Sequence, residues 1–193
     1  MGLTLLVGLC TLVAGRIAGG PGRVHPFRFA GTPLVLAAFA VQAVEPLAAA
    51  YVAYSYPMAL AVSATLMVQF TARNIHVPGV ALAGLGVLLN ALVVLGNGAM
   101  PVSEHAAARA GIDLRALDLD ADPRHERLDG NTRLGLLGDV LPAPVPGHRE
   151  VDSAGDIALA GGVGLLIFTT MCRRRGVFGP TVRTRAATSK GAA

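Results

Sequence analysis

Apolar positions gather into five runs along the chain, separated by short polar breaks and one long polar stretch. The first run is Leu3 to Ala14, extendable through Arg16 to Ala18 if the arginine lifts its charged head out of the apolar layer. Ala30 to Ala72 is long enough for two helices of about 20 residues each. A fourth run extends from about Val77 to Leu95 and a fifth from Ile157 to Cys172. The expected fold class is an all-α membrane protein with about five transmembrane helices and one long extracytoplasmic segment between the fourth and fifth. On this reading residues 1–96 form a four-helix membrane region. Residues 97–155 form a polar extracytoplasmic segment with a short helix and a re-entrant or interfacial loop. Residues 156–172 make the fifth span, and 173–193 a basic cytoplasmic tail expected to be disordered.

Composition supports the membrane reading. Of 193 residues, 53% are hydrophobic and 15% charged, against about 25% charged in a soluble domain. Disorder of the whole chain, a collagen-like repeat and a disulfide scaffold are excluded, since the two cysteines, Cys10 and Cys172, lie in or beside apolar runs. The net charge of +4 does not point to nucleic acid, because the basic residues cluster at the ends of apolar runs. All of them except Lys190 are Arg, in a chain rich in Ala, Gly and Val, which suggests coding bias in a GC-rich bacterium. Arg16, Arg23 and Arg28 follow the first run, Arg73 the third, and Arg173 to Arg175, Arg183, Arg185 and Lys190 the fifth. The long polar stretch is instead mostly acidic. Positive charge marks the inside, so the expected location is a bacterial cell membrane, crossed several times, with the N-terminus outside and the C-terminus cytoplasmic. The first run lacks the positive charge that precedes the core of a signal peptide, so it is expected to be retained as a span. Leu9 stands where a lipoprotein signal wants a small residue before the cysteine, which argues against lipidation at Cys10.

Some boundaries stay open. The turn between the second and third spans fits at Glu45-Pro46, making Glu45 a rim carboxylate, or at Tyr54 to Pro57, placing it inside a span. Gln42 lies one turn earlier on the same face. Asn90, well inside the fourth run, and Gln69 in the third are expected to hydrogen-bond to other helices. Gly84 and Gly86 in the fourth run, and Gly161, Gly162 and Gly164 in the fifth, suit close helix packing, with Ala158 and Gly162 one small-residue pair. In the polar stretch, Asn97-Gly98 suits a left-handed helix end, and Met100-Pro101-Val102 is extended. Ser103 caps a short helix, Glu104 to Ala110, that Gly111 stops. Ile112 to Asp120 places leucines among charges and fits either a helix or a short strand. Leu134 to Pro142 is too short to span and reads as an interfacial or re-entrant loop, and Pro142, Pro144 and Pro146 force an extended return. Ser153 or Asp156 caps the last span.

Tests for chemistry are negative. His105, His125 and His148 are spaced by 20 and 23 residues and make no ligand pair on one helix, so no metal is expected. No phosphate-binding loop, dinucleotide fingerprint or nucleophile elbow occurs. No nucleophile, base and orienting group can be named together, so neither a catalytic residue nor a cofactor is expected.

One ordered series stands out: Asn90, Asn97-Gly98-Ala99-Met100-Pro101-Val102-Ser103, Thr132 with Leu134, Leu137-Gly138-Asp139-Val140-Leu141-Pro142, and Ser153-Ala154-Gly155-Asp156. It resembles a family of small bacterial membrane proteins, domain of unknown function 5317, over about residues 1 to 172. Ala154 stands where a larger apolar residue is expected, and the loop before it is longer than usual. The resemblance implies a polytopic membrane protein with no established activity and directs attention to the outer side. Asp139, Asp156, Asn90 and Asn97 are the candidate ligand-binding residues there. Gly98, Met100, Pro101, Ser103, Gly138, Pro142, Ser153 and Gly155 form the structural motif. Asp139 and Asp156 either face each other across a rim pocket that binds a proton or cation, or cap helices and satisfy loop amides. The expected function is a non-enzymatic accessory or assembly component of a membrane process. The alternative is a binding or transport protein for a small molecule, lipid or ion that uses the Asp139/Asp156 region. The expected partners are the lipid bilayer and a membrane protein or a second copy of the chain.

Overall fold

The computed structural model describes residues 2–19, 27–52, 54–113, 124–145 and 148–172, with the side chains of 2–5, 15–19, 144–145 and 148 excepted. The leucine-and-charge run beyond Asp113, Pro146 and the basic tail lie outside the described residues.

Each apolar run gives one helix. These are α1 (Gly2–Gly19), α2 (Thr32–Ala48), α3 (Ser55–Arg73) and α4 (Val80–Asn97), with a last helix, α6 (Ala154–Cys172), after the polar stretch. Pro33 in the first turn of α2 costs no hydrogen bond, because the first amides of a helix have no internal partner. Gly98 ends α4 in the left-handed conformation, φ 99°, and its amide bonds the Val94 carbonyl at 2.6 Å. The turn between α2 and α3 falls at 49–54, so Glu45 and Pro46 lie within α2, one turn from its end.

The helices pack side by side in the order α1, α6, α4, α3, α2. The last helix thus inserts between the first and the fourth. Antiparallel α4 and α6 meet at backbone distance. A Cβ on Gly79 would overlap Gly162 O, one on Gly86 would overlap Gly155 O, and one on Gly162 would overlap Ala83 N. The seam therefore runs through Gly79, Ala83 and Gly86 on one helix and Gly155 and Gly162 on the other. Thr71 of α3 fills the space over Gly84, and Val7 and Thr11 of α1 that over Gly164. Ala158, the expected partner of Gly162, is only half-buried.

The polar stretch departs from the all-α expectation. It contains β1 (Met100–Val102), α5 (Glu104–Ala110), β2 (His125–Arg127), β3 (Leu141–Val145) and β4 (His148–Asp152). β1 pairs in parallel with β2, Met100 opposite His125, and Asp139 bridges the other side of β1 at Val102. β3 and β4 form an antiparallel hairpin with Leu141 opposite Asp152. The physical reason is that prolines 142 and 144 bar helix and hold the chain extended, so that it pairs with β4. α5 starts on Ser103 and ends on Gly111, as its caps predict, and packs on the hairpin. Leu134 to Leu137 forms a single 3-10 turn, Gly135–Leu137, with Leu136 exposed.

Against five expected spans, α4 and α6 are the two described helices long and apolar enough to cross a membrane, judged by length and composition. α2 is apolar but has only 17 residues. The α4–α6 seam yields the first test. Gly162→Val forces a branched side chain into the Ala83 backbone and is expected to cost about 1–3 kcal/mol, lowering the unfolding midpoint in detergent by several degrees. Gly161→Ala, whose new methyl would lie 3.5 Å from Leu82 Cδ2, is expected to leave the midpoint unchanged. Equal effects of the two would contradict the seam.

Candidate functional site

The end of the α4–α6 seam nearest the polar stretch is closed by three side chains. The Ser153 hydroxyl accepts from the Asp156 amide at 3.0 Å, and the Asp156 carboxylate accepts from the Ser153 amide at 3.0 Å. This reciprocal cap satisfies two amides that a helix start leaves open. Asn90 of α4 completes it. Its Nδ2 donates to Asp156 Oδ1 at 2.9 Å, and its Oδ1 lies 2.8 Å from the Ser153 hydroxyl, which is also 2.7 Å from Asp156 Oδ2. Ser153 is fully buried. Gly155 is required here because a Cβ would overlap Asn90 Oδ1. The S-x-G-D signature is thereby explained residue by residue: cap, clearance and return bond.

Asp139 enters from the other direction. Its amide donates to Pro101 O at 2.8 Å and its carbonyl accepts from Ser103 N at 2.9 Å, tying it to β1. Gly138 is needed because a Cβ there would lie 2.6 Å from Pro101 O. The Asp139 side chain is 8% exposed. Burial, then the charges of Asp156 and Asp152, push its carboxyl up to about 8. Asp152, 3% exposed, is raised to about 6 by burial, then by Glu150 and Asp156. Its Oδ2 is buried without a hydrogen-bond partner. Asp152 went unnamed in the sequence reading. Its neighbours in the chain give no sign of burial, and only the hairpin register buries it.

Asn97 belongs elsewhere. Its Nδ2 donates to Val93 O and to Arg133 O, both at 2.8 Å, and its Oδ1 accepts from Arg133 N at 2.7 Å. It clamps the 131–133 loop beside a polar cavity of about 390 Å³ lined by Glu126, Arg127, Asp129 and Arg133, among others. Glu45 makes a third polar cluster. It is 3% exposed, accepts from the Ser55 hydroxyl at 2.9 Å and pairs with Arg124 at 2.8 Å, whose guanidinium lies 5.8 Å from the centre of the Tyr56 ring. It is thus inside a helix yet tied to the polar stretch between α4 and α6. One turn earlier, Gln42 donates to Ser63. Among the described residues no three His, Cys, Asp or Glu side chains are grouped to hold a metal ion.

Residues 26–168 match a family described as one of unknown function, DUF5317, and the chain belongs to that family. It is also similar to an uncharacterised protein of Thermotoga maritima, 32% identical over 108 residues. That match spans 55% of this chain and 59% of the relative. No solved structure matches.

The clasp can be tested as a unit. Asn90→Ala and Ser153→Ala are each expected to destabilise by about 1–2 kcal/mol. The double variant is expected to lose less than the sum, because both delete the same ring of bonds. Reversible unfolding in mixed micelles measures this, and strict additivity would show that the three side chains act separately.

Proposed function

We propose that the protein is a multi-pass integral membrane protein with five crossings, and that it works without chemistry of its own as an accessory or assembly component docking a membrane partner. The observation that carries this reading is the single file of helices. In water, apolar helices pack in at least two layers around a shared core. Here α4 and α6 are only 33% and 22% buried, and Leu36, Phe39 and Leu47 of α2 and Leu92 and Leu95 of α4 point outward. Lipid or another apolar protein covers such a surface favourably, at about 25 cal/mol per Å². Between α2 and α3 an apolar groove of about 510 Å³, including Val41, Val44, Val52 and Met58, ends at buried Glu45.

Orientation follows the charge rule. The strands, α5 and the α2–α3 turn with exposed Tyr51 and Tyr54 occupy the outer side, where tyrosines suit the membrane interface. Arg28 and Arg73 lie on the inner side.

In a background lacking Cys10 and Cys172, cysteines replacing Ala108 and Ile75 are expected to label from opposite faces of the intact membrane. Labelling of both from outside would overturn the topology. Native mass spectrometry after gentle extraction tests the role: a stoichiometric second protein is expected. A lone chain carrying a small ligand would instead favour a binding or transport protein using the Asp139/Asp156 region.

A further inference from the structure

Asp139 and Asp152 are the two acidic groups of the outer segment whose burial no hydrogen bond explains. Each is fixed by its backbone, Asp139 by its bonds to Pro101 and Ser103 and Asp152 by pairing opposite Leu141. Both carboxyls therefore sit on backbone that is held in the strand network, and both are buried there. Asp152 Oδ2 is buried and accepts nothing, whereas the neighbouring Asp156 is fully engaged by Ser153 and Asn90. We propose that Asp139 and Asp152 form a proton-binding site, and that the bound proton latches the β3–β4 hairpin and the residue-139 loop onto the outer end of α6.

A proton suits the site better than a metal ion. No three ligating side chains are grouped among the described residues, and two nearly enclosed carboxyls leave little room for a hydrated cation. The charges acting on Asp139 are Asp156 of α6 and Asp152 and Glu150 of β4, all acidic, with the amino terminus opposing them. α5, packed on the hairpin, carries Glu104, His105 and Arg109. Glu104 pairs with Arg127, and Arg149 of β4 donates to Gly111 O. Protonation removes a buried like charge, and a carboxylic acid supplies a donor that the carboxylate lacks. A carboxyl raised in the folded state binds its proton more tightly there than when unfolded. The latch is therefore complete in acid and weakens as pH rises through about 8.

The inference is independent of partner docking, and its test needs no partner. The full chain in lipid nanodiscs is titrated from pH 5 to pH 10 by infrared difference spectroscopy. The wild type is expected to show a protonated carboxyl at pH 7 that is lost as pH rises through about 8. Asp139→Asn is expected to lack that band. Hydrogen exchange at 139–145, referred to Asp139→Asn at the same pH, is expected to rise about tenfold from pH 7 to pH 9. Asp152→Asn is expected to shift the Asp139 titration to lower pH. A wild type with no protonated carboxyl at pH 7, a band that titrates near pH 8 surviving in Asp139→Asn, or exchange parallel in the two proteins would each overturn the latch.

Discussion

The backbone-to-backbone contact of α4 with α6 is the constraint on which the rest of the molecule depends. Glycines at 79, 86, 155 and 162 let two antiparallel helices touch along their length, and polar side chains close the end of the seam nearest the polar stretch. There Asn90 reads the cap of α6, so the last helix is held by dispersion along the seam and by hydrogen bonds at its mouth. Because α6 also separates α4 from α1, the position of the first helix is set by an element more than 150 positions later in sequence.

Polar side chains in the apolar runs serve as clasps. Asn74 and Asn97, at the ends of α3 and α4, use one geometry at opposite ends of the helical layer. In each, Nδ2 donates to the carbonyl four residues back and to that of a distant residue, while Oδ1 accepts the distant residue's amide. Ala30 is held in one case and Arg133 in the other. An amide side chain can imitate a strand neighbour in this way, which ties an entering loop to a helix end without a sheet. Gln42 with Ser63, and Glu45 with Ser55 and Arg124, bind α2 to α3 by similar means. Satisfied polar groups of this kind specify packing where apolar contacts alone discriminate poorly.

The acids around the start of α6 divide by their partners. Asp156 is satisfied on both oxygens by amides and a hydroxyl, and its role in capping α6 and joining it to α4 is complete. Asp139 and Asp152 are buried with less compensation, and burial is the leading cause raising both carboxyls. The same short stretch thus contains one acid placed for structure and two whose protonation depends on the fold closing over them.

Local patterns determined much of this. Helix positions followed from runs of apolar residues, because covering that length requires internally satisfied backbone. The caps at Ser103, Gly111, Gly98 and Ser153 followed from residue types that only a few backbone geometries favour. The role of Gly155 followed less directly, since a glycine gives no sign of what will occupy its vacant side. The tertiary structure alone decided the order of helices in the layer, the strand pairings of the polar stretch and the burial of Asp152, for these rest on contacts between distant positions. Proline-rich 142–146 read as extended, but extension becomes a hairpin only when β4 supplies donors in register. Asn90 and Asp156 carried chemical character in the sequence. Distance separated them from Asn97 and joined them to Ser153, and distance is what folding adds.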